Sequence, residues 1–227
     1  SIKGVEENCY FFNNLYDLNK LKALLEKSNE IFSRRKLFIV GAGPSGVEIA
    51  CKVNDMYEDK FDINIIEKSN EILKRNKIFN REESQKALEN RKINISLNTT
   101  VQEVSEEKIS ILTNSEIKHL NKDIVIWTAG VKPNLSFLDE DFPRINERIL
   151  VNNKFQIKNK NNCFAIGDIA IMKGKEDLPL TAQVAMQQGN HLAKNIELLI
   201  QGKDQLPFEF KDNGEMISLG LGKASIS

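Results

Sequence analysis

The chain has 227 residues, enough to bury a sizeable core as one or two domains. Hydrophobic residues make up 41% and charged residues 28%, the balance of an ordinary globular protein. The 32 basic and 32 acidic side chains cancel, which argues against a nucleic-acid partner, whose phosphates require a basic face; a local basic patch is not excluded.

In chain order, residues 17–32 predict an amphipathic helix. Leu18, Leu21, Leu24, Leu25, Ile31 and Phe32 recur at helical spacing, with Asp17 at the N-cap. A short buried strand follows at Leu37 to Val40 and runs into glycines, and Pro44 to Met56 continues as a helix. Ile63 to Ile66 is the next strand, Glu82 to Asn90 a helix and Ile93 to Leu97 a strand. Short β-like runs at Thr99–Val104, Lys108–Leu112, Ile117–Leu120 and Asp123–Trp127 predict an antiparallel meander returning to a parallel strand. The expected class is therefore α/β, with a doubly wound domain carrying a β-meander insert over 36–127. Residues 130–148 read as loop, Ile149 to Val151 and Cys163 to Ile166 as strands, and Thr181 to Ile200 as a helix ended near Gly202. Two last β-like runs, Phe208–Phe210 and Glu215–Leu219, flank Asp212-Asn213-Gly214, a hairpin signal.

No apolar run approaches the roughly eighteen residues that cross a bilayer. The N-terminal stretch lacks a signal-peptide apolar region, which Glu6 and Glu7 interrupt. Cys9, Cys51 and Cys163 are far apart and no CxxC occurs, so neither a metal site nor a dithiol pair is expected. The odd count fits a reducing compartment, and Cys51, one helical turn after Val47, reads as a small core residue.

The most informative stretch is KLFIVGAGPSGVEIA, Lys36 to Ala50. Gly41, Gly43 and Gly46 sit after an apolar strand and open a helix, with Pro44 and Ser45 between them. Gly41 permits the tight turn, Gly43 lets the backbone approach a pyrophosphate, and Gly46 lets helix and strand pack closely. The helix then presents free N–H groups and a positive dipole end to the phosphates. Glu67 stands where an acidic residue should end the second strand; it would accept from the hydroxyls of an adenine ribose and repel a 2′-phosphate, favouring NADH over NADPH. Lys68 would soften that preference. Glu48 reads either as a carboxylate in the first turn at a positive helix end or as a group near the nicotinamide, and spacing by itself favours the former.

Further on, CFAIGDIA (Cys163 to Ala170) is a strand ending in Gly167-Asp168, suited to a carboxylate accepting from a ribityl hydroxyl; strand-Gly-Asp is also a common turn. Together, GVEENC, GAGPSGVEIA, VIWTAGVKPN, CFAIGDIA, LTAQVAMQQG and FKDNGEMISLGLGKA follow one order and spacing. In these the chain resembles the type II NADH:quinone oxidoreductases of the two-dinucleotide-binding-domain flavoprotein superfamily. The resemblance covers most of the chain, and AQVAMQQ is its most specific part.

The resemblance implies a Rossmann-like NADH domain plus a partial FAD domain. It implies FAD ribityl binding by Gly167 and Asp168, with Ala182 and Gln183 at the pyrimidine edge of the isoalloxazine. A positive helix end there would stabilise charge on the reduced ring. Gln183, Gln187 and Gln188 would border the quinone site, and Gly130 would lie in the loop where the NADH domain returns to the flavin domain. Glu48 would lie near both nicotinamide and quinone, and Glu48, Gln183 and Gln187 would adjust flavin and quinone rather than act as nucleophiles. The implied intact enzyme passes hydride from NADH to FAD and then two electrons to a quinone, with no metal. Periodicity does not reach the glutamines: it makes Ala185, Gly189, Leu192, Ile196 and Leu199 the packed face of their helix, with Gln183 and Gln187 opposite, where a solvated face explains them equally well.

One departure is large. That family begins with a separate FAD glycine motif, absent before Lys36, and ends in amphipathic helices that dock on membranes. The chain is expected to be a fragment: 1–34 a FAD-domain remnant and linker helix, 35–130 the NAD(H) domain, 131–204 the second portion of the FAD domain, and 205–227 the start of the membrane-docking domain. The expected setting is peripheral, on the cytoplasmic face of a bacterial membrane or an organelle inner membrane, and homodimerisation stays open. Two other readings compete: a flavin reductase with a disulfide or iron–sulfur protein acceptor, and a non-catalytic NAD(H)-binding module.

Overall fold

In the computed structural model the described residues are 2–28, 33–130, 132–138 and 142–227. They form two compact units, Ser1–Gly130 with Gly214–Ser227, and Val131–Asn213. The expected divisions lay at 34/35, 130/131 and 204/205.

The first unit opens with helix α1 (Val5–Asn8), strand β1 (Tyr10–Phe11) and helix α2 (Leu15–Lys27). Helix α2 starts earlier than Asp17, which is not its cap. Asn14 is the cap: its side chain accepts from the Asp17 N–H, while the Asp17 carboxylate accepts from Asn13 N. The two side chains thus satisfy two backbone donors at the start of the helix, those of Asp17 and Asn13. Ile31 and Phe32 lie outside the described residues.

There follow β2 (Arg35–Val40), α3 (Pro44–Tyr57), β3 (Phe61–Ile66), α4 (Ile78–Asn90), β4 (Asn94–Ser96), β5 (Thr99–Val104), β6 (Lys108–Thr113), β7 (Glu116–Asn121) and β8 (Ile124–Trp127). Strands β1-β8-β2-β3-β4 form, in that order, a five-stranded sheet with every pairing parallel. Alternation along each strand sends residues to two cores. Leu37, Ile39, Ile63, Ile65, Ile124 and Ile126 meet Val47, Ala50 and Cys51 of α3 and Leu88 of α4. Phe38, Val40, Ile66 and Val125 meet Val101, Val104, Ile109 and Ile111 of the antiparallel meander β5-β6-β7. The α/β, Rossmann-like class is as expected, with α2, α3 and α4 on one face and the meander, together with Val5 of α1, on the other. Each fully buried Leu, Ile or Phe here contributes about 1.5–3 kcal/mol of transfer free energy.

The second unit holds β9 (Arg144–Ile145), β10 (Arg148–Val151), β11 (Gln156–Ile157), β12 (Lys160–Phe164), β13 (Ala170–Met172) and helix α5 (Ala182–Ile200). The stretch expected to be loop through Arg148 therefore contains β9, which pairs antiparallel with β10. Strand β10 is central, with β13 parallel on its other edge. Ile149, Val151, Phe155, Ala165, Ala170, Met172 and Phe208 form the core.

The first unit is completed by the hairpin β14 (Met216–Ser218) and β15 (Ala224–Ile226). This corrects the expected hairpin. Phe208 is no strand residue; it is buried in the second unit with its ring 5.0 Å from that of Phe155 and its N–H on Asn153 O. Asp212-Asn213-Gly214 marks the division between the units, and the turn between the paired strands runs through Gly220 and Gly222, both at positive φ.

Candidate functional site

The parallel order β8-β2-β3 places the carboxyl ends of three strands side by side, where open α/β sheets bind ligands. Strand β2 ends at Gly41, whose φ of 105° is open to glycine and whose N–H donates to Ile66 O at 2.8 Å. Gly46 has a different reason to lack a side chain: a Cβ there would overlap the Gly41 carbonyl oxygen. Gly43, the N-cap of α3, is exposed, and a Cβ there would meet nothing within 4 Å. The backbone at Gly43 thus faces open space beside the exposed Pro44 and Ser45. Pro44 at the first helical position has no N–H to leave unpaired, and the first-turn N–H groups beyond it point out of the helix end.

Glu67 immediately follows β3. Its Oε2 accepts from Ala42 N at 2.7 Å and its Oε1 from Ser69 N at 2.8 Å. Burial opposes its ionisation, but the N–H groups of Ala42 and Ser69, the Ser69 hydroxyl and Lys68 outweigh it, and the carboxyl is held below the usual range. Two further residues complete this corner. The Thr128 hydroxyl lies 2.9 Å from Val40 O and 3.2 Å from Gly41 O, tying the end of β8 to the glycine turn. Leu73, buried at a φ of 48°, donates its N–H to Ala42 O at 2.9 Å. A hydroxyl directly after a buried strand could have flagged Thr128; nothing local flags Leu73. Gly130 follows β8 at a φ of 82° with open space around it.

Glu48 is the fifth residue of α3 and lies in its second turn, not the first as expected. Its Oε1 accepts from the Ser218 N–H at 2.9 Å.

In the second unit the strand expected at Cys163 to Ile166 ends at Phe164, as β12, and after Ala165 and Ile166 the residues Gly167, at a φ of 72°, and Asp168 form a short turn. Asp168 is exposed and has no hydrogen-bond partner among the described residues. With Pro179, Leu180, Val184, Ala185 and Gln188 it lines a small pocket. Thr181 caps α5 by accepting from Val184 N, which leaves the exposed Ala182 at the positive end of a 19-residue helix.

The expected packed face of α5 holds only in part: Ala185, Gly189 and Leu192 are half-buried, Leu192 against the core, but the most buried residues lie beside that face. Val184, Gln188 and Asn195 are buried, whereas Ile196 and Leu199 are exposed. The buried polar residues have dedicated partners, which is what makes their burial tolerable. Gln188 Oε1 accepts from Gly167 N at 2.6 Å, and Asn195 exchanges two bonds with the Leu206 backbone at 2.8 and 2.9 Å. Gln187 pairs both ways with the Lys211 backbone at 2.8 and 3.0 Å, and Gln183 accepts from Asn213 N at 3.1 Å. The three glutamines therefore pin loops rather than face solvent freely. Gln188→Ala strands the Gly167 N–H and is expected to cost about 1–3 kcal/mol in denaturant unfolding; a loss below about 0.5 kcal/mol would show that Gly167 does not depend on it.

Among the described residues no group of His, Cys, Asp or Glu could hold a metal, and no helix is long and apolar enough to cross a membrane. The three cysteines are free. Cys9 and Cys51 are buried, which pushes both thiols up to about 11. They are protonated at neutral pH and are poor nucleophiles.

A parallel sheet with a glycine turn, a helix end and a strand-end carboxylate defines a dinucleotide-binding oxidoreductase domain. The chain belongs to the pyridine nucleotide-disulphide oxidoreductase family, whose profile matches residues 1–189. It is 30% identical over 233 residues to the demethylphylloquinone reductase of Synechocystis sp., covering 100% of this chain and 57% of that protein. It is 29% identical over 241 residues to the type II NADH:quinone oxidoreductase of Staphylococcus saprophyticus, covering 96% of this chain and 60% of that one. The chain thus spans between half and two thirds of these relatives. Among solved structures, NDH2 from Plasmodium falciparum in complex with NADH shares the fold with a TM-score of 0.83 at 18% identity, covering 100% of this chain and 66% of that one.

Proposed function

We propose that this chain supplies the NADH-binding part, and a portion of the flavin-binding part, of an NADH:quinone oxidoreductase. The observation that carries the reading is the corner where Glu67, the open Gly43 backbone and the start of α3 converge. Gly43 leaves room for a pyrophosphate, the first-turn N–H groups of α3 would donate to it, and Glu67 would accept from the adenine ribose. In the second unit the unpartnered Asp168 fits a ribityl hydroxyl, and the positive end of α5 at Ala182 and Gln183 fits the electron-rich edge of a flavin. NADH and FAD, when bound, would supply hydride transfer and onward two-electron reduction of a quinone. Gln188 would hold the Gly167 turn under Asp168, and Glu48, Gln183 and Gln187 would adjust the flavin and quinone surroundings. Gly130 would border the nicotinamide site. The acceptor's lipid solubility favours work at a membrane surface. Buried, protonated Cys9 and Cys51 and the lack of a CxxC disfavour a disulfide acceptor.

Titration of the purified chain with NADH and NADPH, alongside its visible spectrum, tests this. Binding of NADH about tenfold tighter than NADPH is expected, a difference of ~1.4 kcal/mol, and Glu67→Gln should narrow that ratio. Absence of NADH binding would remove the reading. NADH binding with no turnover and no flavin colour would favour the non-catalytic module for the isolated chain.

A further inference from the structure

Ala42 sits between Gly41 and Gly43, two residues that give the turn little stiffness of its own. Both of its backbone polar groups are nevertheless committed. Its N–H donates to Glu67 Oε2 at 2.7 Å, and its carbonyl accepts from Leu73 N at 2.9 Å. The second Glu67 oxygen is tied separately, to Ser69 N at 2.8 Å. The backbone around Glu67 is fixed as well, since its N–H donates to Ser96 O and its carbonyl accepts from Thr99 N, each at 2.9 Å. Leu73 can point its N–H at Ala42 only by holding a left-handed backbone, unfavourable for a leucine, and its burial keeps it there.

We infer that Glu67 is the positioning residue of the phosphate-binding turn, holding Ala42 from one side while Leu73 N–H holds it from the other. The inference rests on the reading of this corner as an NAD(H) site and deepens it. A carboxylate offers about four lone-pair directions. The two N–H groups take one on each oxygen and the Ser69 hydroxyl takes a third, which leaves one for a ribose hydroxyl. The same side chain therefore sets the turn that receives phosphate and reads the sugar next to it. Because its oxygens are anchored to two different loops, the carboxylate cannot swing aside. A 2′-phosphate is refused by a fixed wall, and making room for it would release the turn. Exposed Lys68 leaves both anchoring bonds in place, so it would soften the charge repulsion without moving the wall.

The test compares NADH, ADP and 2′,3′-dideoxy-ADP, the last having the pyrophosphate and adenine but no ribose hydroxyls, on the wild-type chain, Glu67→Ala and Glu67→Gln. A residue that only reads ribose would leave dideoxy-ADP affinity unchanged on substitution. A residue that sets the turn should lower dideoxy-ADP affinity about fivefold or more in Glu67→Ala. Glu67→Gln, which keeps one acceptor for Ala42 N–H, should restore part of it. Amide exchange gives a ligand-free second measurement. The Ala42 N–H should exchange about tenfold faster or more in Glu67→Ala, with core amides such as Ile39 and Ile126 unaltered; should that variant not fold, Glu67→Gln carries the same comparison. Unchanged dideoxy-ADP affinity together with unchanged Ala42 exchange overturns the inference while leaving the NAD(H) site standing. Wild-type protein that binds neither NADH nor ADP ends the NAD(H) reading, and Ala42 exchange still decides whether Glu67 positions the turn.

Discussion

Gly46→Val is expected to destabilise the first unit severely, by more than about 3 kcal/mol, and to abolish NADH binding with it. A Cβ at this position would overlap the Gly41 carbonyl oxygen and press on Thr128 Oγ1. Neither neighbour can yield cheaply. Gly41 is a turn residue at a φ of 105°, and the Thr128 hydroxyl is already held against Val40 O and Gly41 O. Relief would require α3 to lift from the sheet, exposing Val47, Ala50 and Cys51, all wholly buried. Gly43→Ala is the control that separates folding from binding. Its φ of −73° suits any residue and its Cβ would meet nothing, so stability should be unchanged or rise by about 0.4–1 kcal/mol. NADH affinity should nonetheless fall about tenfold if a pyrophosphate approaches that backbone. Denaturant unfolding and NADH titration of both variants decide the matter. Equal NADH affinity for Gly43→Ala and wild type would place the phosphates elsewhere.

The contrast between these glycines follows what the sequence could reveal. The glycine turn, its strand and its helix were legible because the constraint is local: each glycine answers to atoms a few residues away or to a ligand. Glu67 was legible by distance from the turn, yet its two backbone bonds were not, since Ala42 and Ser69 meet it only once β2 and β3 lie side by side. Helix α5 was found with nearly correct ends, but its buried face was read only in part. Apolar periodicity counts only apolar side chains and so passes over Gln188 and Asn195, for which Gly167 and the Leu206 backbone supply the bonds that let them be buried. The Asp17 cap failed because Asn14 takes that role three residues earlier. The last hairpin failed because the turn signal at Asp212-Asn213-Gly214 is local, whereas the path of the true turn is set by distant side chains, Asp55 on α3 and Arg91 just after α4.

Those side chains carry the second large effect: Arg91→Ala is expected to cost about 3 kcal/mol and to loosen residues 214–227 from the first unit. Arg91 and Asp55 are only 11% and 18% exposed and meet in a two-bond fork, Nε to Oδ1 at 2.6 Å and a terminal nitrogen to Oδ2 at 2.8 Å. The guanidinium also donates to Ala87 O and Leu219 O, both at 2.8 Å, and Asp55 Oδ2 accepts from Leu221 N at 2.8 Å. Gly220 lies between those two backbone contacts at a φ of 102°, and a Cβ there would overlap Asp55 Oδ2. Removing Arg91 leaves a largely buried carboxylate without its cation and two carbonyls, Ala87 O and Leu219 O, without this donor. Lys at this position cannot reproduce the fork and should recover only part of the loss. Acid should act on the same contact. The Arg91 guanidinium beside Asp55, aided by the Leu221 N–H and opposed by burial, holds its carboxyl at about 2, against 3.8 for an ordinary aspartate. A depressed folded value means the stabilisation is fully present above 3.8 and is lost as pH falls toward about 2; the amount at stake is about 2 kcal/mol. Glu67, also lowered, contributes in the same direction, so the variant comparison is needed. Asp55→Asn should be less stable than wild type at neutral pH and should show a shallower fall over that acid window. Parallel acid limbs in urea unfolding for wild type and Asp55→Asn would show that the fork is not what acid breaks.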